Sequence, residues 1–433
     1  MRRILTERRQ SAIYLALALS LVMVAGLQDE PQEQVERTSS IPATVCPKFN
    51  DDARATALLP SNRTQIKSAR SRKTNFNRAR INPYSLNNNS IVVEGSEATS
   101  VVLRSRTNNF TAATTCLIGD GNQWFVGANA GLGSRARILA VNSGLSASSI
   151  EIQTYDRDGE AGSRAITIPP VSQREIRVDS LAPGADATAI RVLTRSGRVS
   201  AYVIDERSRG LQTFGGDFIA SQSPSTSLTI AGIPARLGGR SITTHRVEIV
   251  ATGARAAVVD VELLSDGSRF TPVGLSEVTV QPGQVKRLRL PAELGRRTAS
   301  IVISATEEVA AAVISATVTE FAWSTPSLGL DSYQFNVGGL EPVITLAGRA
   351  IRTDIEYRSR SGKSSRKSLS GSEIVTWKVP KNTRRITITN LNPVHMAATW
   401  ASGDGFTSLA LNPGTELERS STPTFNIDAL FSR

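Results

Sequence analysis

The chain has 433 residues, of which 40% are hydrophobic and 20% charged, the balance of a globular protein and too polar for a multi-span membrane protein. Fifty Lys and Arg face 38 Asp and Glu, a net charge of +12, which favours anionic partners such as nucleic acid, acidic lipid or phosphate-bearing wall polymers. Two cysteines and two histidines are too few, and too scattered, for a zinc site of three or four ligands.

Residues 1–11 form a basic tail, with Arg2, Arg3, Arg8 and Arg9 against Glu7. Residues 12–27 follow as an uncharged apolar run. Sixteen residues are short for a spanning helix, which needs about 20, and slightly long for the apolar part of a signal peptide. The preceding arginines orient the run with its N-terminus inside. Two readings stand: a single-pass anchor in the cell membrane with the C-terminal part extracytoplasmic, or a signal that is cleaved and leaves a secreted protein. Both export everything after residue 27, and both argue against nucleic acid as a partner.

Residues 28–89 read as a linker or arm, polar and acidic at first and then basic. Between 48 and 80 lie Lys48, Arg54, Arg63, Lys67, Arg70, Arg72, Lys73, Arg78 and Arg80, opposed by Asp51 and Asp52. The segment is rich in Asn, Ser and Thr and predicts an irregular arm. It is either simply solvated or in contact with an anionic envelope polymer or lipid surface. On the second reading Arg63, Lys67, Arg70, Arg72 and Lys73 are candidate binding residues. Cys46 and Cys116 lie on the exported side, where a pair most often forms a disulfide; the alternative is two buried thiols. A bond would close a loop of about 70 residues and tie the arm to the first folded domain.

From about residue 90, short alternating apolar runs rich in Val, Ile, Thr and Tyr recur every 8 to 12 positions between Gly, Pro, Asn, Asp and Ser. That is the signature of an all-β sandwich or barrel. A longer repeat overlies it. SIEIQTYDRDG, TIPPVSQREIRV and ATAIRVLTRSGRVSAYVID are echoed by VVDVELLSDGS, TVQPGQVKRLRL and TASIVISATEEVAAAVISA. More loosely they are echoed by RTDIEYRSRSGKS, SLSGSEIVTWKV and TRRITITNLNPVHMAATWA. A period near 100 residues is the size of an immunoglobulin-like sandwich. The expectation is three tandem sandwiches at 90–222, 223–325 and a degenerate 326–425, behind the N-terminal helix. Each repeat is expected to end in a hairpin, topped by Arg195–Arg198, by Glu307 and Glu308, and by the turn that holds His395.

No constellation for catalysis emerges. His245 sits in a strand pattern and His395 in a turn. Ser364 and Lys367 match S-x-x-K, but in a basic turn rather than at a helix start. Asp156, Asp158 and Glu160 are too few and too close for a calcium loop. No catalytic residue, metal site or cofactor is expected. In CLIGDGNQWFVGANAG (116–131), Trp124 is either a core residue or a sugar-stacking platform; it is retained as a candidate binding residue although burial is expected.

Cys116, the motif Trp124-Phe125-Val126-Gly127, the strands LAVNSG and D-x-D-G that follow, and STSLTIAGIPA (225–235) carry a resemblance. The chain resembles a family of secreted or membrane-anchored actinobacterial proteins of unknown function, well over 90–325 and loosely beyond. The resemblance implies a place in envelope biogenesis and supplies no catalytic residue. The expectation is a non-enzymatic envelope protein, an anchored rod of sandwiches that scaffolds a cell-wall polymer or an envelope protein. The alternative is a binding module for wall polysaccharide or its anionic decorations.

Overall fold

The computed structural model describes residues 37–414, apart from 41, 108–109, 211, 238–239, 266, 292–293, 295–296 and 403–404, together with 420–423. The expected basic tail (1–11), the anchor or signal (12–27) and the first part of the linker lie outside the described residues, as does Asp266. Among the described residues there is no α-helix, and no helix long and apolar enough to cross a membrane.

The chain divides into two units. In one, β1 (Arg37–Ser40) pairs antiparallel with β33 (Ser420–Pro423). The other, residues 41–418, holds four β-sandwiches, designated I to IV. Sandwich I contains β2 (Thr44–Cys46), β3 (Arg54–Leu58), β4 (Gln65–Ser68), β5 (Asn77–Arg78), β6 (Tyr84–Leu86), β7 (Ile91–Val93), β8 (Val101–Arg106) and β9 (Phe110–Thr115). Sandwich II contains β10 (Asn122–Val126), β11 (Arg137–Asn142), β12 (Ser148–Tyr155), β13 (Glu160–Ile168), β14 (Ser172–Arg177), β15 (Ala189–Ser196), β16 (Ser200–Arg209) and β17 (Gln212–Ile219). Sandwich III runs from β18 (Ser225–Ile233) through a small ribbon, β19 (Arg236–Leu237) with β20 (Arg240–Ser241), to β21 (Thr244–Ala251), β22 (Ala257–Ser265), β23 (Ser268–Phe270), β24 (Val278–Val280), β25 (Val285–Arg289), β26 (Ala299–Ala316) and β27 (Phe321–Ser324). Sandwich IV contains β28 (Gly329–Asn336), β29 (Val343–Ser359), β30 (Ser364–Lys378), β31 (Thr383–Ser402) and β32 (Gly405–Ala410).

One topology recurs in all four. Sandwich I orders its sheets β2-β7-β4-β5 and β6-β3-β8-β9; sandwich II orders them β10-β15-β12-β13 and β14-β11-β16-β17. Numbered within a sandwich, the orders are 1-6-3-4 and 5-2-7-8. In III the first half of β26 pairs with β18 and β22 and its second half with β21 and β27, so one strand fills places 6 and 7. In IV, β29, β30 and β31 each fill two places in the same way. Strands 2 and 5 are neighbours, as are 3 and 6, as in an immunoglobulin sandwich, but strand 1 pairs with 6, strand 4 with 3 and strand 7 with 2.

Three sequence expectations are corrected here. Residues 44–115 are a folded sandwich rather than an irregular arm, so the chain carries four repeats, and β7, β8 and β9 belong to the first of them rather than to a domain at 90–222. The expected terminal hairpins are crossovers: β15 and β16 lie in different sheets, and β26 and β31 each run unbroken for 18 and 20 residues. A straight strand of 18 residues would reach about 60 Å, far beyond one sandwich, so it bends from sheet to sheet. Two alternating apolar runs around a polar break look alike in sequence whether the second run returns to its own sheet or crosses to the other.

The sandwiches do not form a rod. Phe49, Phe110 and Val92 of I share one core with Leu139, Tyr202 and Phe218 of II. Trp124 and Ile190 of II pack with Val250, Ala312 and Trp323 of III. Ala231 and Leu264 of III pack with Ala347 and Ala397 of IV, and Phe335 and Leu346 of IV return to Leu58 and Val101 of I. Every sandwich therefore removes apolar surface from water against two neighbours, each Å² contributing roughly 25 cal/mol.

The eighth strands β9, β17, β27 and β32 are joined through one carboxylate. Asp217 on β17 accepts from the backbone N–H of Trp323 on β27 (2.9 Å), from the Thr407 hydroxyl on β32 (2.8 Å) and from the Phe218 N–H (2.9 Å). Thr407 in turn accepts from the Ala113 N–H of β9 (3.0 Å). Burial pushes the Asp217 carboxyl well above the ordinary carboxylate range against these hydrogen bonds, and Glu320 pushes it the same way.

Asp217→Ala leaves three donors without their acceptor at about 1–3 kcal/mol each. Urea unfolding is expected to show a loss of at least about 3 kcal/mol; a loss under about 0.5 kcal/mol would remove Asp217 from this role. Because its folded pKa is raised, the contribution of Asp217 is fully present below the unfolded carboxylate value and is lost as pH rises through the folded value. Relative to an Asp217→Asn variant, the protein should therefore lose stability as pH rises above the ordinary carboxylate range.

Candidate functional site

Sandwich I sorts its charges into two groups. Lys48, Asp51, Arg104 and Arg106 face sandwich II or its margin. Arg104, 1% exposed, donates to Glu206 (2.6 Å) and Asp51 (2.5 Å). Arg137 donates to Asp51 (2.6 Å), Glu206 (3.0 Å) and Glu175 (3.0 Å). Both guanidinium groups lie over the Phe49 ring, and Arg104 also over Phe110. Burial acts to raise the Asp51 carboxyl, but Arg104 and Arg137 outweigh it and hold it below the usual carboxylate range. Asp52 pairs with Arg106 at 2.6 Å. The two acids that seemed to offset the basic segment are thus engaged elsewhere.

The second group is left uncompensated. Arg63, Arg70, Arg72, Lys73, Arg78 and Arg80 are exposed and Lys67 half-buried, and among the described residues none has a carboxylate partner. Lys67 is held instead over the Phe76 ring, 5.1 Å from its centroid. All seven cations come from β4, β5 and the turns around them. The five candidate residues of the sequence reading fall on this one sandwich.

Between the edge strands of its two sheets, β5 and β6, sandwich I carries a cleft of about 340 Å³. Lys67, Arg78, Asn77, Asn87, Asn88 and Tyr84 line it above buried Ile66, Leu86 and Ile91. Lys67 is one of the candidates expected from sequence; Arg78 is expected only as part of the basic segment, and the asparagines are not expected at all. The run Asn87-Asn88-Asn89 was the available signal, and it read as loop composition because β5 and β6 are only two and three residues long.

Cys46 and Cys116 are bonded and fully buried. The bond joins β2 to the residue after β9, so it fastens the two sheets of sandwich I to each other rather than an arm to a neighbouring domain. The Tyr202 hydroxyl of sandwich II accepts from the Leu117 N–H (2.8 Å) beside the bridge and donates to the Val45 carbonyl.

Trp124 is 2% exposed. Its ring stacks on Tyr155 (5.4 Å) beneath Arg191, and its backbone pairs with Gln222 at the start of sandwich III. It offers no platform to a ligand, which corrects its candidacy. Gly127 of the same motif has φ +123°, and a Cβ there would come within 2.8 Å of the Trp323 ring. The motif is a seam between II and III.

Neither histidine is free for catalysis. His245 is buried with Nδ1 2.9 Å from the Ser315 hydroxyl, and burial lowers its pKa to about 4. His395 Nδ1 donates to the Ser327 carbonyl at 2.6 Å, and burial lowers its pKa despite that bond. Among the described residues no group of three or more His, Cys, Asp or Glu could hold a metal ion.

A family model matches residues 92–332, more than half of the chain, from β7 to the middle of β28. The chain belongs to a family of unknown function, DUF5719. The match spans sandwiches II and III and the last strands of I. No curated protein matches this DUF5719 chain. Among solved structures it is similar to the crystal structure of chicken CNTN1 FN1-FN3 domains, at 10% identity over 90% of this chain and 100% of that one, with a TM-score of 0.11. A likeness that low carries no argument.

One outcome follows from the sorting of charge and a second from the disulfide. The triple reversal Arg70→Glu, Arg72→Glu, Lys73→Glu should leave stability within about 0.5 kcal/mol of the parent, because these side chains hold nothing in the fold. Replacing Cys46 and Cys116 by Ala should cost roughly 4 kcal/mol, the value for a closed loop of that length. Denaturant titration reads both.

Proposed function

We propose that the protein is a non-enzymatic extracytoplasmic component of the cell envelope, a scaffold or accessory factor in envelope biogenesis. The Cys46–Cys116 bond carries the compartment: a structural disulfide buried in a sandwich core suits an oxidising environment outside the cytoplasm. The scaffold role is supported by the four sandwiches sharing their cores in sequence and closing back on the first, which fixes the geometry of everything they carry. The apolar run at 12–27 supplies an anchor or an export signal.

A second reading is favoured by the seven uncompensated cations of β4, β5 and the turns around them: the protein binds an anionic polymer of the wall through this face. Such a contact is electrostatic and weakens with salt.

Cysteine alkylation under denaturing conditions tests the first reading in native cells. Cys46 and Cys116 should resist the reagent until reduced, and an external protease should reach the sandwiches; a cytoplasmic chain with free thiols, or turnover of an envelope glycan or peptide by the purified chain, would overturn it. For the second, purified wall should retain the parent chain at low salt and release it as ionic strength rises. Equal retention of the Arg70→Glu, Arg72→Glu, Lys73→Glu variant would remove the basic face from that role.

A further inference from the structure

We propose that the cleft between β5 and β6 of sandwich I is a binding site for an anionic glycan, a sugar chain carrying a phosphate or carboxylate on its repeat. The proposal rests on the second reading above and gives it a seat and a ligand class. Three features of the cleft converge on that class. Lys67 and Arg78 supply positive charge without a carboxylate partner among the described residues, and the two remaining acids of the sandwich, Glu94 and Glu97, do not line the cleft. Asn77, Asn87 and Asn88 add amides, each with two donors and an acceptor, the pattern that hydroxyl groups satisfy. Tyr84, half-buried against the apolar floor of Ile66, Leu86 and Ile91, adds an aromatic side chain to the lining, against which the C–H face of a sugar can lie. A volume near 340 Å³ is at the lower end of small-ligand sites and fits one or two sugar units.

The surroundings extend the same logic. Arg63, Arg70, Arg72 and Lys73 lie outside the lining but on the same sandwich, so a polymer longer than the cleft finds further cations. A bilayer surface is the poorer partner: it is flat, and it would leave the amides between the sheet edges without work. Sandwich IV is basic too, with Arg349, Arg352, Arg358 and Lys367 exposed, but Asp354 and Glu356 alternate with them on β29 and Arg366 approaches Glu356 at 3.9 Å, so its field is broken. The topology explains why the opening is in I. In sandwich IV the equivalent edges are one continuous strand, β30; in I they are two very short strands joined by residues 79–83.

Isothermal titration of the full-length chain in detergent tests the site with four probes. These are a glucosylated glycerol-phosphate oligomer, an oligogalacturonate of equal charge, neutral dextran and polyglutamate. Binding of one or both anionic glycans, but not of dextran or polyglutamate, is expected, and which glycan binds tells phosphate from carboxylate. Lys67→Gln with Arg78→Gln should weaken that binding by about tenfold or more, as loss of charge-assisted bonds does. Asn87→Ala with Asn88→Ala should weaken it without changing its salt dependence. Arg78, Asn87 and Asn88 are exposed and Lys67 half-buried, and circular dichroism with the unfolding midpoint confirms the fold of each variant. Parent-like binding by the Lys67→Gln, Arg78→Gln variant, with loss in Arg70→Gln, Arg72→Gln, Lys73→Gln, overturns the cleft and keeps the basic face. Polyglutamate binding as tightly as the glycans overturns recognition of sugar. No binding of either anionic glycan overturns both readings.

Discussion

Three chain segments meet on the carboxylate of Asp217 and a fourth joins them through Thr407, and the arrangement of the molecule follows from that meeting. A buried carboxylate is costly unless its lone pairs are filled. Here the donors come from Phe218 on its own strand, Trp323 on β27 and Thr407 on β32, with Ala113 of β9 bonded behind Thr407. Only a mutual fit of β17, β27 and β32 supplies that set, with β9 fastened to it through Thr407. Asp205, directly opposite on β16, is a second buried acid: its Oδ2 accepts from the Trp323 indole N–H (3.1 Å) and from Arg207 (2.6 Å), while its Oδ1 has no hydrogen-bond partner among the described residues. Trp323 thus presents its backbone to one acid and its ring nitrogen to the other. Apolar seams would allow the sandwiches to slide; two acids with assigned donors do not.

The same logic separates the arginines. Those at seams are paired and desolvated: Arg104 and Arg137 between I and II, Arg287 with Glu248 (2.7 Å) and Asp186 (3.1 Å) between III and II, and Arg269 with Glu373 (3.0 Å) between III and IV. Pairs of this kind fix register more than they add stability. The excess positive charge then has to appear on free surfaces, and it is not spread evenly. Sandwich I gives both of its aspartates to the region of its border with II and keeps a face of unopposed cations.

Much of the architecture is legible in the sequence. The alternation in β12, SSIEIQTY, buries Ile150, Ile152 and Thr154 on one face, and Asp158-Gly159 makes the β12–β13 turn with Gly159 at φ +129°. The period near 100 residues is the sandwich repeat. The fourth copy escaped because its strands are two to six residues long with lysines, arginines and asparagines between them, so alternation never accumulates over enough positions to stand out from loop composition. Register between sheets was equally hidden: Glu307 and Glu308 mark a bend rather than a turn, and only the partners on either side distinguish the two. Nor does sequence distance reveal that Thr407 reaches Asp217, 190 positions earlier.

The cleft lies just before the segment shared with the family, which begins at residue 92. Asp205, Asp217, Trp124 and Trp323 lie within that segment, and so does Arg104. Seam residues lie outside that segment too, among them Phe49, Glu373 and Thr407, so the seams and the outward face are separated in space rather than along the chain. Changes at sites with no shared partners add with little coupling, so the face of sandwich I can be altered without disturbing the seams. Asp51 links the seam to the cleft-bearing sandwich. It sits in the N-terminal part of I, near the basic face in sequence, yet its side chain is bound to Arg104 and Arg137. Through it the position of the cleft is set by sandwich II, and a ligand held in I is held in a fixed relation to the whole four-sandwich unit.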